Sequence, residues 1–393
     1  MNTKNHAIKF ATDKKIFFVW IMFLFKKGST SKIILFKPKK TILNQFTKKP
    51  FHWAVVGAGP AGIAAVGKLL DNNIHPQHIL WLDPHFKVGD LGQLWRHVSS
   101  NTTVRRFVDF LKAVDSFNYN HTPIDFQLNR IEPESTCTLL EVVKPLEWVS
   151  EHLTKKVVAQ QATVHSMALS ERTWTLNTDT HTFRAKNVIL ATGAVPSSLN
   201  YPGVDVIPFD VAIDKDRLAA TVNTNETYAV FGSSHSAIII VRYLVELGVK
   251  KIINFYRSPC RYAIDMGDWI LFDNTGLKGQ TATWARQNID GVLPPNLVRY
   301  NTSEPNIARF LPECDKVIYA VGFEKRKNIV IGDYEDTHHN PHVGIIGPGL
   351  FGLGIAYPEM KADPYGSIES QVGLWKFMVY LDKVISTWFK YPT

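Results

Sequence analysis

Residues 53–83 read WAVVGAGPAGIAAVGKLLDNNIHPQHILWLD. Residues 53–56 are a short apolar run of the length of one buried parallel strand. Gly57-Ala58-Gly59-Pro60-Ala61-Gly62 follows and fits G-x-G-x-x-G; residues 63–70 then carry an apolar helical pattern. A second apolar run, residues 79–82, ends in Asp83, which stands 21 positions after Gly62.

Each part has a physical job. Gly57 permits a tight turn out of the strand. Gly59 has no side chain, so backbone can come close to a pyrophosphate, and Gly62 lets the helix pack closely on the sheet. The helix start, at Pro60 and Ala61, offers unpaired N–H groups and partial positive charge to phosphate, with Ala58 lining the turn. Asp83 can accept hydrogen bonds from the two hydroxyls of an adenosine ribose. Glycines also cluster in ordinary βα turns. Here strand, glycines, helix, strand and acid stand in order, which predicts a dinucleotide site.

Outward from this unit, 393 residues suffice for two or three domains. With 45% apolar and 20% charged residues, the composition is that of an ordinary globular protein. Cys137, Cys260 and Cys314 are widely spaced and odd in number, which excludes a CxxC redox pair and a disulfide-built fold. No metal site is expected. The net charge of +9 resides in the first 50 residues, whose twelve lysines and single acid, Asp13, carry +11 and leave −2 for the rest. The body therefore presents no electrostatic case for nucleic acid.

Residues 1–50 read as a basic, disordered leader. Within it residues 16–25 (IFFVWIMFLF) are apolar and flanked by lysine pairs. A ten-residue helix is about 15 Å long, half of a hydrocarbon core of about 30 Å, so it should not span a bilayer. A tail, a translated extension upstream of the true start, and a monotopic membrane anchor are the readings left open. The first two are favoured, giving a cytoplasmic protein, with peripheral membrane association as the alternative.

Along the body, residues 105–117 and 146–158 are expected helices, 118–143 irregular, and 162–186 a small antiparallel meander. Residues 187–196 (NVILATGAVP) are an apolar run closed by Ala-Thr-Gly, and 199–212 read as a linker. A second unit then begins. Residues 228–231 form a strand, Gly232-Ser233-Ser234-His235-Ser236-Ala237 a turn, 238–247 a helix with Gly248 as C-cap, and 251–256 a strand ending at Arg257.

Small residues and serine hydroxyls in this turn suit either a phosphate cradle or a plain βα turn. Where an acid stood in the first unit there is Arg257, with Arg261 nearby. An arginine pairs with a 2′-phosphate that an acid would repel, so a nicotinamide cofactor here would be NADP in preference to NAD. A solvated strand end is the alternative for Arg257. His235 reads as a surface histidine, residues 265–287 as an insertion and 367–390 as a helix with Ser367 as N-cap. Residues 315–323 (DKVIYAVGF) repeat the strand and Ala-x-Gly turn.

Together GAGPAG at 57–62, ATG at 191–193 and DKVIYAVGF at 315–323 resemble the flavoproteins with two dinucleotide-binding domains. This is the broad pyridine nucleotide–disulfide oxidoreductase-like superfamily, nearest to its flavin-containing monooxygenases. The resemblance implies an α/β fold, a Rossmann-like FAD-binding domain (51–198 and 323–393) with an inserted Rossmann-like NAD(P)-binding domain (199–322). It implies crossovers at the two Ala-x-Gly turns, with Thr192 and Gly193 at the cofactor. The final helix would aim its start, near Gly366, at the flavin.

Leu94-Trp95 resembles the monooxygenases' Gly-Leu-Trp, with Gln93 in place of glycine. Ser100-Asn101-Thr102 resembles the motif whose asparagine faces the flavin, which makes Asn101 the catalytic candidate. The implied activity is FAD-dependent, NADPH-using oxidation of a small molecule, with hydride passing to flavin and then to O₂ or substrate. A flavin-dependent reductase of a quinone or protein acceptor, and a non-catalytic nucleotide-binding redox sensor, are the alternatives. Substrate and oligomeric state are not legible.

Overall fold

β1 (Phe51–Val56), α1 (Pro60–Asp71) and β2 (Ile79–Asp83) form the expected βαβ unit in a computed structural model, which describes residues 49–332 and 339–393. The two strands pair in parallel, from Trp53 opposite Ile79 to Val56 opposite Leu82. Pro60 takes the first turn of the helix, where its missing N–H costs nothing. Ile63, Ala64, Val66 and Leu69 are wholly buried. The run at residues 16–25 lies outside the described residues.

The chain continues through α2 (Gly89–Gln93), α3 (Val104–Lys112) and α4 (Leu139–Thr154). α3 is shorter than the expected 105–117, because the chain tightens into a 3₁₀ turn at Asp115–Phe117. α4 begins well before the expected residue 146 and runs through Pro145. Proline there forfeits one backbone bond, but Val142, Leu146 and Val149 remain fully buried on either side of it. Burying three such side chains, at about 1.5–3 kcal/mol each, outweighs a proline cost of about 3 kcal/mol.

β3 (Val158–Gln161) extends the parallel edge beside β2. β4 (Val164–Ser170), β5 (Thr173–Thr178) and β6 (Thr182–Leu190) form the antiparallel meander. β6 serves two purposes. Its first half alternates buried and exposed residues and pairs with β5, whereas Asn187–Leu190 is buried throughout and lies parallel to β1. Alternation suits a sheet with one wet face; a continuous apolar run suits one covered on both.

After β7 (Ala194–Pro196) comes a second, wholly parallel sheet. Its elements are β8 (Asp205–Val206), α5 (Phe209–Ala212), α6 (Lys215–Thr221), β9 (Thr227–Phe231), α7 (His235–Glu246) and β10 (Lys251–Tyr256). A hairpin of β11 (Ile264–Asp265) and β12 (Ile270–Leu271) precedes α8 (Gly279–Asn288), β13 (Leu297–Asn301), α9 (Glu304–Phe310) and β14 (Lys316–Tyr319). The strand order is β13-β10-β9-β14-β8.

Two expectations need correction. Residues 199–212 are not a linker, since β8 is the edge strand beside β14. Residues 265–287 are an insertion only up to the β11–β12 hairpin. α8 is the crossover helix between the parallel strands β10 and β13, which such a pairing requires.

β15 (Phe323–Lys325) returns the chain and pairs antiparallel with β7, so the two crossovers are zipped together. β16 (Val330–Ile331) joins β4, β17 (Ile345–Gly347) pairs with β18 (Leu350–Gly352), and β18 lies parallel to β6. Among the described residues the first sheet thus has nine strands. A hairpin of β19 (Glu359–Ala362) and β20 (Ile368–Gln371) precedes α10 (Leu374–Phe389). This overturns the expected helix start. Gly366 and Ser367 form the exposed tip of the hairpin, and the helix begins after Gly373. Ile368–Gln371 has strand partners that a helical period could not reveal.

Candidate active site

The first turn uses its glycines for two different purposes. Gly57 has φ +109°, and a Cβ there would lie 2.3 Å from the Ala191 carbonyl oxygen; one on Gly62 would lie 1.9 Å from the Gly57 oxygen. Both glycines are therefore required by the packing of the turn. A Cβ on Gly59 would meet only the Gly89 Cα, at 3.9 Å. Gly59 leaves open space over the start of α1, which no side chain caps.

Asp83 is nearly buried, and its partners are backbone. Oδ2 accepts from Ala58 N at 2.7 Å; Oδ1 accepts from His85 N at 2.8 Å and Phe86 N at 2.7 Å. Its first task is to hold the turn. A carboxylate offers about four acceptor positions, so one remains for a ribose hydroxyl. Open space, uncapped helix and spare acceptor together fit the adenosine end of a dinucleotide.

The second turn repeats the device. Gly232 has φ +125°, and its Cβ would lie 2.3 Å from the Ala320 oxygen. Ala191 N donates to Val56 O at 2.8 Å, and Ala320 N donates to Phe231 O at 2.9 Å. In β2 the Trp81 indole donates to Gly57 O at 2.9 Å; in β10 the Asn254 amide donates to Gly232 O at 2.8 Å. Asn254 is fully buried, also donates to Val230 O at 2.9 Å, and accepts from Arg299 Nε at 2.8 Å. The Arg299 guanidinium covers the Tyr256 ring at 4.6 Å. Neither residue was singled out from sequence; one polar residue in the apolar run KIINFY was the available signal.

Ser233 and Ser236 are half-buried and Ser234 exposed, at a helix start that again has no side-chain cap. Arg257 stands exposed at the end of β10. Arg261 lies over the Phe272 ring at 5.0 Å.

The remaining candidates lie on the segment after α2 and on the turn between β6 and β7. Half-buried Leu94 closes α2, and Trp95 meets Phe209 of α5 at 5.6 Å and Phe323 of β15 at 6.2 Å, both edge-on. The loop beyond it is pinned by Ser100, whose Oγ donates to Thr102 O at 2.8 Å and accepts from Cys137 N at 3.2 Å. Asn101 is half-buried, and its Oδ1 accepts from Thr102 Oγ1 at 3.3 Å. Gly193 follows Thr192 with φ +73°, and its oxygen accepts from Arg326 N at 3.3 Å. Arg326 also pairs with Asp90 at 2.8 Å.

His235 is not a surface histidine. It opens α7, and both ring nitrogens are buried without a hydrogen-bond partner among the described residues. Burial pushes its pKa down to about 4, with the Ser99 backbone and Lys278 as its polar neighbours.

α10 also ends where it matters. Phe389 packs edge-on against Trp53 at 5.5 Å, and Asp382 pairs with Lys68 of α1 at 2.7 Å. The C-terminal end of α10 therefore lies by the start of β1, and its start points to the carboxyl edge of the sheet, where the Gly57–Gly62 turn sits.

Residues 51–340 match the family described as pyridine nucleotide-disulphide oxidoreductase. The chain belongs to that family. It is 32% identical to the monooxygenase AgnR1 of Paecilomyces divaricatus over 85% of this chain and 97% of that protein. This is a flavin-dependent oxidoreductase family, and its monooxygenases include a relative of this chain over nearly that relative's whole length.

Two solved structures share the fold. An ornithine N-hydroxylase from Kutzneria sp. 744 has 14% identity and a TM-score of 0.60, covering 87% of this chain and 99% of its own. A bacillithiol disulfide reductase from Staphylococcus aureus has 12% identity and a TM-score of 0.56, covering 87% and 99%. Hydroxylase and reductase thus share one architecture, and the site must decide between them. Cys137, Cys260 and Cys314 are free thiols here, and burial holds Cys137 at about 11 and Cys314 at about 12. Among the described residues no cluster suited to a metal ion occurs and no helix is long and apolar enough to cross a membrane.

Proposed function

We propose that this protein is an FAD-dependent, NADPH-using monooxygenase acting on a small molecule, with FAD held by residues 51–198 and 323–393 and the nicotinamide cofactor by 199–322. The observation that carries the reading is the contrast at the ends of β2 and β10. A βα turn opened by one tightly packed glycine, Gly57 or Gly232, is followed by Asp83 in one unit and by the exposed Arg257 in the other. An acid accepts from an unmodified ribose; an arginine pairs with a 2′-phosphate. The first suits FAD and the second NADPH.

When bound, FAD supplies the capacity to take a hydride and pass two electrons onward. The chain's own residues do the rest. Gly59 and the start of α1 would receive the FAD pyrophosphate, and Asp83 one ribose hydroxyl. Ser233, Ser234 and Ser236, at the start of α7, would receive the second pyrophosphate. Asn101, on the loop fixed by Ser100, would present an amide that both donates and accepts near the reacting atoms. The start of α10 would favour negative charge there.

The test is anaerobic reduction followed by oxygen. NADPH should bleach the 450-nm flavin band much faster than NADH does, and the band should return slowly on aeration. Immediate return would indicate a reductase of another acceptor, and no bleaching a nucleotide sensor.

A further inference from the structure

Outside the two turns, one group of charged side chains is assembled from the segment before α8 and the start of α10. Asp273 and Lys278 precede α8, and Lys376 lies in the first turn of α10. Lys278 Nζ donates to Asp273 Oδ1 at 2.5 Å and to its backbone oxygen at 2.7 Å. Lys376 Nζ reaches Asp273 Oδ2 and Asn274 Oδ1, each at 2.5 Å. All three charged side chains are mostly shielded, at 22–28% exposure. Glu369, whose charge favours the Lys376 ammonium, accepts from Asn274 N at 3.1 Å, Asn274 Nδ2 at 3.2 Å and Thr275 Oγ1 at 2.6 Å.

This arrangement is electrostatically expensive. Lys278 is the N-cap of α8 and Lys376 lies in the first turn of α10, where the helix field disfavours cations. The start of α7, with neutral His235, adds a third positive helix end beside Lys278. Burial lowers the Lys376 pKa against the pull of Asp273, while the two ammonium groups outweigh burial and lower that of Asp273. Asp273 thus pairs directly with both ammonium groups, and Glu369 adds a second negative charge near Lys376. Each ammonium has three N–H groups and meets two acceptors here, leaving one N–H unspent. Cost of this kind is tolerated at sites that meet a ligand.

We propose that Lys278 and Lys376, organised by Asp273, form an anion-recognition site between the segment before α8 and the start of α10 that takes the acidic oxygen, carboxylate or phenolate, of the substrate. The site adjoins the start of α10 at the carboxyl edge that carries the first glycine turn. It rests on the oxidoreductase reading only for calling the anion a substrate; a phosphate of the nicotinamide cofactor has related chemistry and is separated by the test.

The probes are benzoate, its neutral analogue benzamide, and inorganic pyrophosphate, titrated calorimetrically into the flavin-loaded full chain at fixed ionic strength. Benzoate should bind at least about tenfold more tightly than benzamide, the factor expected for one charge-assisted bond. Lys278→Met and Lys376→Met should each remove that advantage, and Lys376→Arg should keep it. The proposal is overturned if benzoate binds no better than benzamide, or if both Met variants, with unchanged flavin content, bind benzoate like the parent. It is equally overturned if pyrophosphate displaces benzoate and is itself lost in the Met variants, which would assign the lysines to the nucleotide. Should the Met variants fail to fold, the benzoate–benzamide comparison and Lys376→Arg still decide. Bleaching by NADPH, measured on the same parent protein, reports separately on the oxidoreductase reading.

Discussion

Gly59→Ala separates what the fold needs from what the cofactor needs. A Cβ at Gly59 has nothing closer than 3.9 Å, and its φ of −73° is open to any residue. Losing glycine's unfolded-state freedom favours the variant by about 0.4–1 kcal/mol, and alanine's poorer N-cap behaviour costs a similar amount. The flavin-free variant should therefore melt within a few degrees of the parent. The same methyl group occupies the space over the start of α1, where a pyrophosphate would come closest. Losing one hydrogen bond to that anion is worth about 1.5–3 kcal/mol, or roughly ten- to a hundredfold in FAD affinity. The assay is quenching of FAD fluorescence on titration of flavin-free protein, beside a thermal melt of the same sample. Gly57→Ala is the control. Its φ of +109° and the 2.3 Å approach to Ala191 O should destabilise the flavin-free protein itself, by at least about 1–3 kcal/mol from backbone strain alone. If Gly59→Ala binds FAD as the parent does, the open space is not the phosphate site and the reasoning fails.

Arg257→Ala should raise the KM for NADPH roughly ten- to a hundredfold and leave NADH nearly unchanged, in flavin-reduction rates at fixed ionic strength. Equal losses for both nucleotides would return Arg257 to a structural role. Asn254→Leu keeps the size of the side chain but strands Gly232 O and the Arg299 Nε donor, at about 1–3 kcal/mol for a buried group left unpaired. NADPH binding should weaken while FAD content holds, and an unchanged KM would show that the turn is held by other means. His235 makes folding acid-sensitive. Its folded pKa of about 4 lies below its ordinary 6.5, so the unfolded chain takes up the proton first. Stability should fall as pH drops from 6.5 to 4 and level off below, by up to about 3 kcal/mol from this residue. His235→Phe should flatten that part of a urea-midpoint profile, and His339, also held at about 4, should leave a residual slope of the same sign.

The sequence by itself determined the two βαβ units, because a buried parallel strand, a glycine turn and an amphipathic helix each leave a local signature in residues 51–83 and 227–256. The apolar strands closed by Ala-x-Gly were legible for the same reason, whereas only the family resemblance implied that they are crossovers. Local pattern also carried Asp83 and Arg257 to the ends of their strands. It placed Gly366 wrongly at a helix start, since residues 368–371 are held as a strand by residues 359–362 and not by their own period.

Only the tertiary structure decided how each glycine is used. Gly57 and Gly59 are alike in the motif, and differ because Ala191, more than a hundred positions away, abuts one and not the other. The burial of His235, the seat of Trp95 between Phe209 and Phe323, and the meeting of Lys278 with Lys376 through Asp273 belong to the same class. Each depends on contact between segments whose sequence separation is large, and local pattern holds no record of which distant surface a side chain will meet.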